Sequence, residues 1–229
     1  MTIPALGGGS RRTRYRPLLI SLLLLSAVVP VFEGVWFGAA AIDLVSLAVL
    51  ISGVWVAGGN RRDLAILAVL GAMAEAPRAI ALPLSDLAVV TVSGIFTFAF
   101  LAYVTALILG DLMATEQVSA DTIGGAICGY LMIGITWGAL YFIIQSMDGR
   151  SFNLAMPRAR SFAVFQVEFL RLVYYSLVTL TTVGYGDISA RIPLTQNLSA
   201  LEAMVGQFYI AVLVARLVSL QILGRGGRG

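Results

Sequence analysis

Apolar residues in this chain do not alternate with polar ones. They come in long runs, at 18–32, 38–58, 64–84, 87–110 and 122–147, then in a shorter run at 169–181 and a last long one at 195–222. A helix needs about 20 mostly apolar residues to cross a bilayer. The pattern therefore predicts an all-α membrane protein with six transmembrane helices, and the segment at 169–181, too short to cross, becomes a re-entrant helix between the fifth and sixth. For the first run a cleaved signal peptide is the rival reading, with Ser10-Arg11-Arg12 faintly like a twin-arginine signal. The run merges into further apolar sequence rather than a polar mature start, which favours its retention.

The polar breaks orient the runs. Arg11, Arg12, Arg14 and Arg16 crowd ahead of the first run, and Arg61 and Arg62 follow the second. Basic loops stay on the cytoplasmic side, so the N-terminus lies inside, the re-entrant segment dips in from the outer face, and both termini are cytoplasmic. The third run carries Glu75, Pro77, Arg78 and Pro83, which predicts a kinked span in which Glu75 and Arg78 neutralise each other three residues apart. The fifth run is uncharged and contains Gly124, Gly125, Gly129, Gly134 and Gly138, positions at which neighbouring helices can come close.

Composition narrows the class. Of 229 residues, 59% are hydrophobic and 12% charged, against roughly 45–50% and 25% in a soluble domain. Every basic residue is Arg, and Arg11, Arg12, Arg14 and Arg16 crowd just before an apolar run, as in cytoplasmic loops of membrane proteins, so no nucleic-acid partner is expected. The single Cys128 lies within an apolar run, where packing is its expected role.

The chemistry is concentrated after the short run, in Thr181-Thr182-Val183-Gly184-Tyr185-Gly186-Asp187. Non-helical backbone inside a membrane survives only where it is buried or lines a watery path. This string resembles the selectivity filter of tetrameric potassium channels. The resemblance covers the pore module, roughly 116–222, with Tyr174-Tyr175-Ser176 where potassium channels commonly carry a Trp pair and Gly206 at the spacing of the inner-helix hinge glycine. It implies a bacterial six-transmembrane-type potassium channel in the cell membrane. Potassium ions, the permeant species, would bind at Thr182, Val183, Gly184 and Tyr185, with Gly186 completing the filter and no cofactor required. Gly184 and Gly186 supply the positive φ angles that aim successive carbonyls at one axis. One copy of the motif per chain implies a homotetramer. In support of the filter, Asp187 is expected to lean on Tyr174, and Tyr175 to pack against Tyr185 of a neighbouring subunit. Gly206 would be the hinge, and Gln207, Ile210, Val214 and Val218, at helical spacing, would face the cavity.

The resulting organisation is a cytoplasmic arm at 1–17, a peripheral four-helix domain at 18–110, a linker at 111–121, the pore domain at 122–222 and a short tail at 223–229. The fourth run lacks the arginines of a voltage sensor. Moving one charge through the membrane field is worth about 2.3 kcal/mol per 100 mV, so steep voltage gating has no source here. With so short a tail, gating is expected to come from the pore, the lipid or a separate partner. Arg216 is expected to pair with the acidic linker, Asp111, Glu116 and Asp121, or to reach anionic lipid. Glu202, one turn before Gly206, is expected to take a hydrogen bond from Ser176 or Thr179. Two rival functions share the motif: a weakly selective cation channel or silent subunit, and an intramembrane aspartyl protease built on Gly184-Tyr185-Gly186-Asp187 with Asp43 as the second carboxylate.

Overall fold

The computed structural model describes residues 15–32, 38–56, 60–79, 87–115, 119–154 and 162–226. Among these the chain forms seven helices: α1 (Arg16–Phe32), α2 (Gly38–Val56), α3 (Arg61–Ala79), α4 (Leu87–Ala114), α5 (Ala120–Met147), α6 (Phe162–Leu180) and α7 (Pro193–Gly226). Two of them, over Ala88–Ala114 and Asp121–Met147, are long and apolar enough to cross a membrane. Shorter apolar stretches lie at Arg16–Leu25 and Leu44–Val56.

Several boundaries differ from the sequence expectation. Helix α4 runs on through Asp111 to Ala114, and Ser119 caps α5 through a reciprocal capping box with Thr122. The linker therefore shrinks to a few residues around 115–119, because Asp111 continues the helix and Ser119 supplies an oxygen to a free N–H of the next one. Pro77 falls in the last turn of α3, so it accompanies the helix end instead of kinking a longer span. Helix α6 begins at Phe162, seven positions before the expected start, since Phe165 and Phe169 extend its apolar face past the polar Gln166 and Glu168.

Helix α5 is the central element, packing on α4, α6, α1 and α7. It runs antiparallel to α4: Gly94 faces Phe142 and Ile143, while Gly129 faces Ile108 and Leu109. Leu18 and Leu22 of α1, Phe100, Val104 and Ile108 of α4, and Cys128 and Met132 of α5 are all fully or almost fully buried in one apolar cluster. Cys128 thus fills space within that core. Gly138 lets α6 lie against α5, because a Cβ there would sit 2.7 Å from the Cα of Val173. Gly124 meets nothing within 4 Å, so close approach, expected of all five α5 glycines, does not explain that one.

The depth of α6 follows from its partners. Ser176 reaches the carbonyl of Gly134, and Tyr130 donates to the carbonyl of Leu180, so α6 ends halfway along α5. The chain then returns to the far end of α5. Asn153 and Arg191 bind the carbonyls of Ser189 and Ser151, both at 2.9 Å, and Phe152 pairs with Ala190 in an isolated bridge.

Candidate functional site: a loop between α6 and α7

The descending helix and the return leave 181–187 as a short non-helical strand held against the end of α6. Thr182 N–H bonds the carbonyl of Thr179 at 2.9 Å, and the N–H groups of Val183 and Gly184 bond that of Val178 at 3.0 and 3.3 Å. In a trans peptide the C=O points opposite to the following N–H. Carbonyls of Thr182 and Val183 are thereby turned away from α6, towards the open side of the strand. Positive φ recurs at every second residue, 59° at Thr182, 58° at Gly184 and 81° at Gly186. The glycines adopt this freely; Thr182, which has a Cβ, is held there against its preference. The sequence reading assigned that geometry only to the two glycines.

All of 181–187 is exposed in the single chain. Val183 and Tyr185 are 53% and 72% exposed, so their own chain does not pack the side chains that alternate with the carbonyls. The Tyr174 hydroxyl donates to Asp187 at 2.9 Å, tying the outer end of the loop to α6. Tyr175 departs from expectation. It is buried in its own chain, where its hydroxyl meets Ser199 at 2.6 Å. Its ring packs edge-on against Tyr141 and Phe152, with centroids 5.5 and 5.1 Å away. The ring turns inward because Phe152, carried by the strap after α5, closes an aromatic triangle with Tyr141. Within its own chain its partners are thus Ser199, Tyr141 and Phe152.

Helix α7 meets its own chain along one stripe, Glu202, Gly206, Tyr209, Leu213 and Arg216, spaced four and three residues apart as one helical face requires. Glu202 is fully buried and contacts the hydroxyls of Tyr141, at 2.7 Å, and Ser176. Thr179, the other expected partner, turns back to the carbonyl of Tyr175. At Gly206 a Cβ would lie 2.1 Å from the carbonyl oxygen of Leu180. The glycine is needed for this contact with the end of α6, whatever hinge motion it also permits. Tyr209 donates to the carbonyl of Ala126 at 2.7 Å. Arg216 donates to the carbonyls of Met113 and Thr115, at 2.6 and 2.8 Å, and not to the carboxylates of Asp111 or Asp121. A cation at the end of α4 satisfies carbonyls that the helix leaves free, which a carboxylate cannot do. Asp111 instead accepts the Tyr15 hydroxyl.

Gln207 and Ile210 lie off this stripe and are exposed, Gln207 within 3.5 Å of the Thr182 hydroxyl. Side chains of Val214, Val218, Arg78 and Asp43, and the whole of Glu116, lie outside the described residues. Sequence reasoning missed Tyr141, Phe152 and Tyr209. Tyr141 and Tyr209 read as ordinary positions of apolar runs and Phe152 lies in a stretch that reads as polar; the tyrosine hydroxyls and the ring partners distinguish them.

Comparison with known proteins agrees with this geometry. Residues 129–221, from the middle of α5 into α7, match the family model described as "Ion channel". Two curated relatives are both called Protein LctB. The one from Bacillus caldotenax is 30% identical and the one from Geobacillus stearothermophilus 29% identical over 130 residues, which is 53% of this chain and 94% of each relative. No solved structure matches. The match is to a channel and not to an enzyme, so Gly184-Tyr185-Gly186-Asp187 is not a protease motif. The loop and the stripe of α7 beneath it both lie within the matched residues, and the chain belongs to the ion-channel family.

Proposed function

We propose that this protein is a potassium-selective channel that conducts passively through a homotetrameric pore, with Thr182, Val183, Gly184, Tyr185 and Gly186 as the selectivity filter. The observation that carries the reading is the alternation of positive φ at 182, 184 and 186 next to a pore helix that holds the Val183 and Gly184 N–H groups. That combination aims successive carbonyls to one side, where they replace the hydration shell of a dehydrated cation. One strand supplies one wall only. Four chains around an axis would complete the cage and would cover Val183 and Tyr185, which are exposed on one chain.

In this reading α6 is the re-entrant pore helix, its C-terminal end directed at the membrane centre where its dipole favours a cation. Helices α1–α5 and α7 are the six spans, in a bacterial cell membrane with both termini cytoplasmic. Gln207 and Ile210 face the cavity. With no basic residue in α4, steep voltage gating has no source. Anionic lipid would act at Arg216 by competing with the α4 carbonyls for the guanidinium.

Purified protein in liposomes tests this. Potassium flux should exceed sodium flux and be blocked by barium, and cross-linking should stop at four chains. Equal fluxes would favour a weakly selective pore; cross-linked tetramers with no flux would favour a silent subunit.

A further inference from the structure

Hydrogen bonding around Glu202 does not close unless its carboxyl carries a proton. Its partners among the described residues are the hydroxyls of Tyr141 on α5, at 2.7 Å, and Ser176 on α6. Ser176 Oγ also lies 2.6 Å from the carbonyl oxygen of Gly134. A serine hydroxyl owns one hydrogen, and a carbonyl oxygen can only accept. If that hydrogen goes to Gly134, the contact between Ser176 and Glu202 needs one from the carboxyl. If it goes to Glu202, two oxygens face each other at the Gly134 contact with no hydrogen between them. Tyr141 cannot repair this, because its hydrogen is used on the other carboxyl oxygen. A neutral acid satisfies all three contacts, and it avoids burying a charge with only hydroxyls around it.

The contacts fall in register with the loop. Ser176 meets Glu202, and four residues further along each helix Leu180 meets Gly206. The last turn of α6, from which the filter springs, is thus held to α7 at two successive turns. We propose that Glu202 is a filter-positioning residue, a neutral hydrogen-donating clamp that joins the inner helix to the pore helix and, through Tyr141, to the outer helix. Its effect on conduction rests on the potassium-pore reading; its protonation does not.

A glutamine can reproduce a neutral clamp atom for atom, its carbonyl accepting from Tyr141 and its amide donating to Ser176. Wild type, Glu202→Gln and Glu202→Leu are compared in liposomes for potassium and sodium flux, and the same preparations by infrared difference spectroscopy. The wild type should show a carboxylic-acid carbonyl band at neutral pH that vanishes in Glu202→Gln. Glu202→Gln should keep selective flux within about threefold, and Glu202→Leu, similar in size but without polar atoms, should lose roughly tenfold or more. Absence of the acid band, or glutamine failing as badly as leucine, overturns the clamp. Should the wild type carry no selective flux, the pore reading fails while the infrared band still decides the proton.

Discussion

Helices α1–α4 and helices α5–α7, which hold the match to the channel family, are built from similar residues but fit together in different ways. In the periphery, close approaches end on side chains. A Cβ at Gly53 would lie 3.3 Å from Val104 Cγ2, and one at Gly71 would lie 3.7 Å from the ring of Phe100. In α5–α7 two of them also reach main chain, at the carbonyl of Leu180 below Gly206 and the Cα of Val173 below Gly138, while Gly129 and Gly134 face the side chains of Tyr209 and Leu177. Polar groups tie helices together in both regions. Helices α1–α4 are joined by Ser21 with Ser52, Ser93 with the carbonyl of Ala74 and Tyr103 with Asp63, while Ser176, Tyr141, Tyr209 and Arg216 join α5, α6 and α7 to one another or to α4. Side chains can shift by a few tenths of an ångström to accommodate change, but a helix end cannot move without carrying its loop along.

The sharpest break in that comparison is Gly206→Ala. The added methyl group pushes first against main chain, the carbonyl oxygen of Leu180 2.1 Å away, so the variant should lose about 3 kcal/mol or more of stability and all selective flux. Gly53→Ala, the same change in the periphery, should cost less than about 1 kcal/mol, because helix propensity offsets a contact that Val104 can relieve. Thermal unfolding of the detergent-solubilised protein measures both, and equal losses would erase the distinction. Gly124→Ala sharpens it from within α5: with open space around the site, it should be neutral or stabilise by about 0.5–1 kcal/mol.

Smaller effects are expected at the two ends of the pore module. Tyr174→Phe removes the hydrogen bond to Asp187 and should weaken the loop by about 0.5–1.5 kcal/mol. It would appear as faster decay of current in single-channel records with the fold intact; unchanged decay would remove Asp187 from the filter's support. Arg216→Gln should loosen the end of α4 by roughly 0.3–1 kcal/mol and shift open probability. Since Arg216 holds carbonyls, double-mutant cycles with Asp111→Asn and Asp121→Asn should be additive. Coupling in either cycle would restore the carboxylate pairing that the hydrogen bonds do not contain.

Legibility differed between the same two regions. The loop at 181–187 was readable because each residue type does a separate physical task within a few positions, and so was the partnership of Tyr174 with Asp187. The burial of Tyr175 within its own chain was not readable because the side that an aromatic ring faces depends on Phe152, more than twenty positions earlier and in a stretch that reads as polar. Arg216 was matched to carboxylates because charge is visible in a sequence, while the free carbonyls of a helix end are not. Gly206 was read through its conformational freedom, although what demands a glycine is the oxygen of Leu180.

By itself, the amino-acid sequence determined the class of the molecule. Long uncharged runs require a membrane, and one short run followed by Thr-Val-Gly-Tyr-Gly requires backbone that does chemistry there. These are local properties, set by hydropathy and by which residues accept a positive φ. Tertiary structure alone decided which hydroxyls close around Glu202, where α6 stops along α5 and why α7 needs a glycine at its fourth turn. Each depends on two or three atoms from distant parts of the chain lying within hydrogen-bond or van der Waals reach, a distance that no residue's own character specifies.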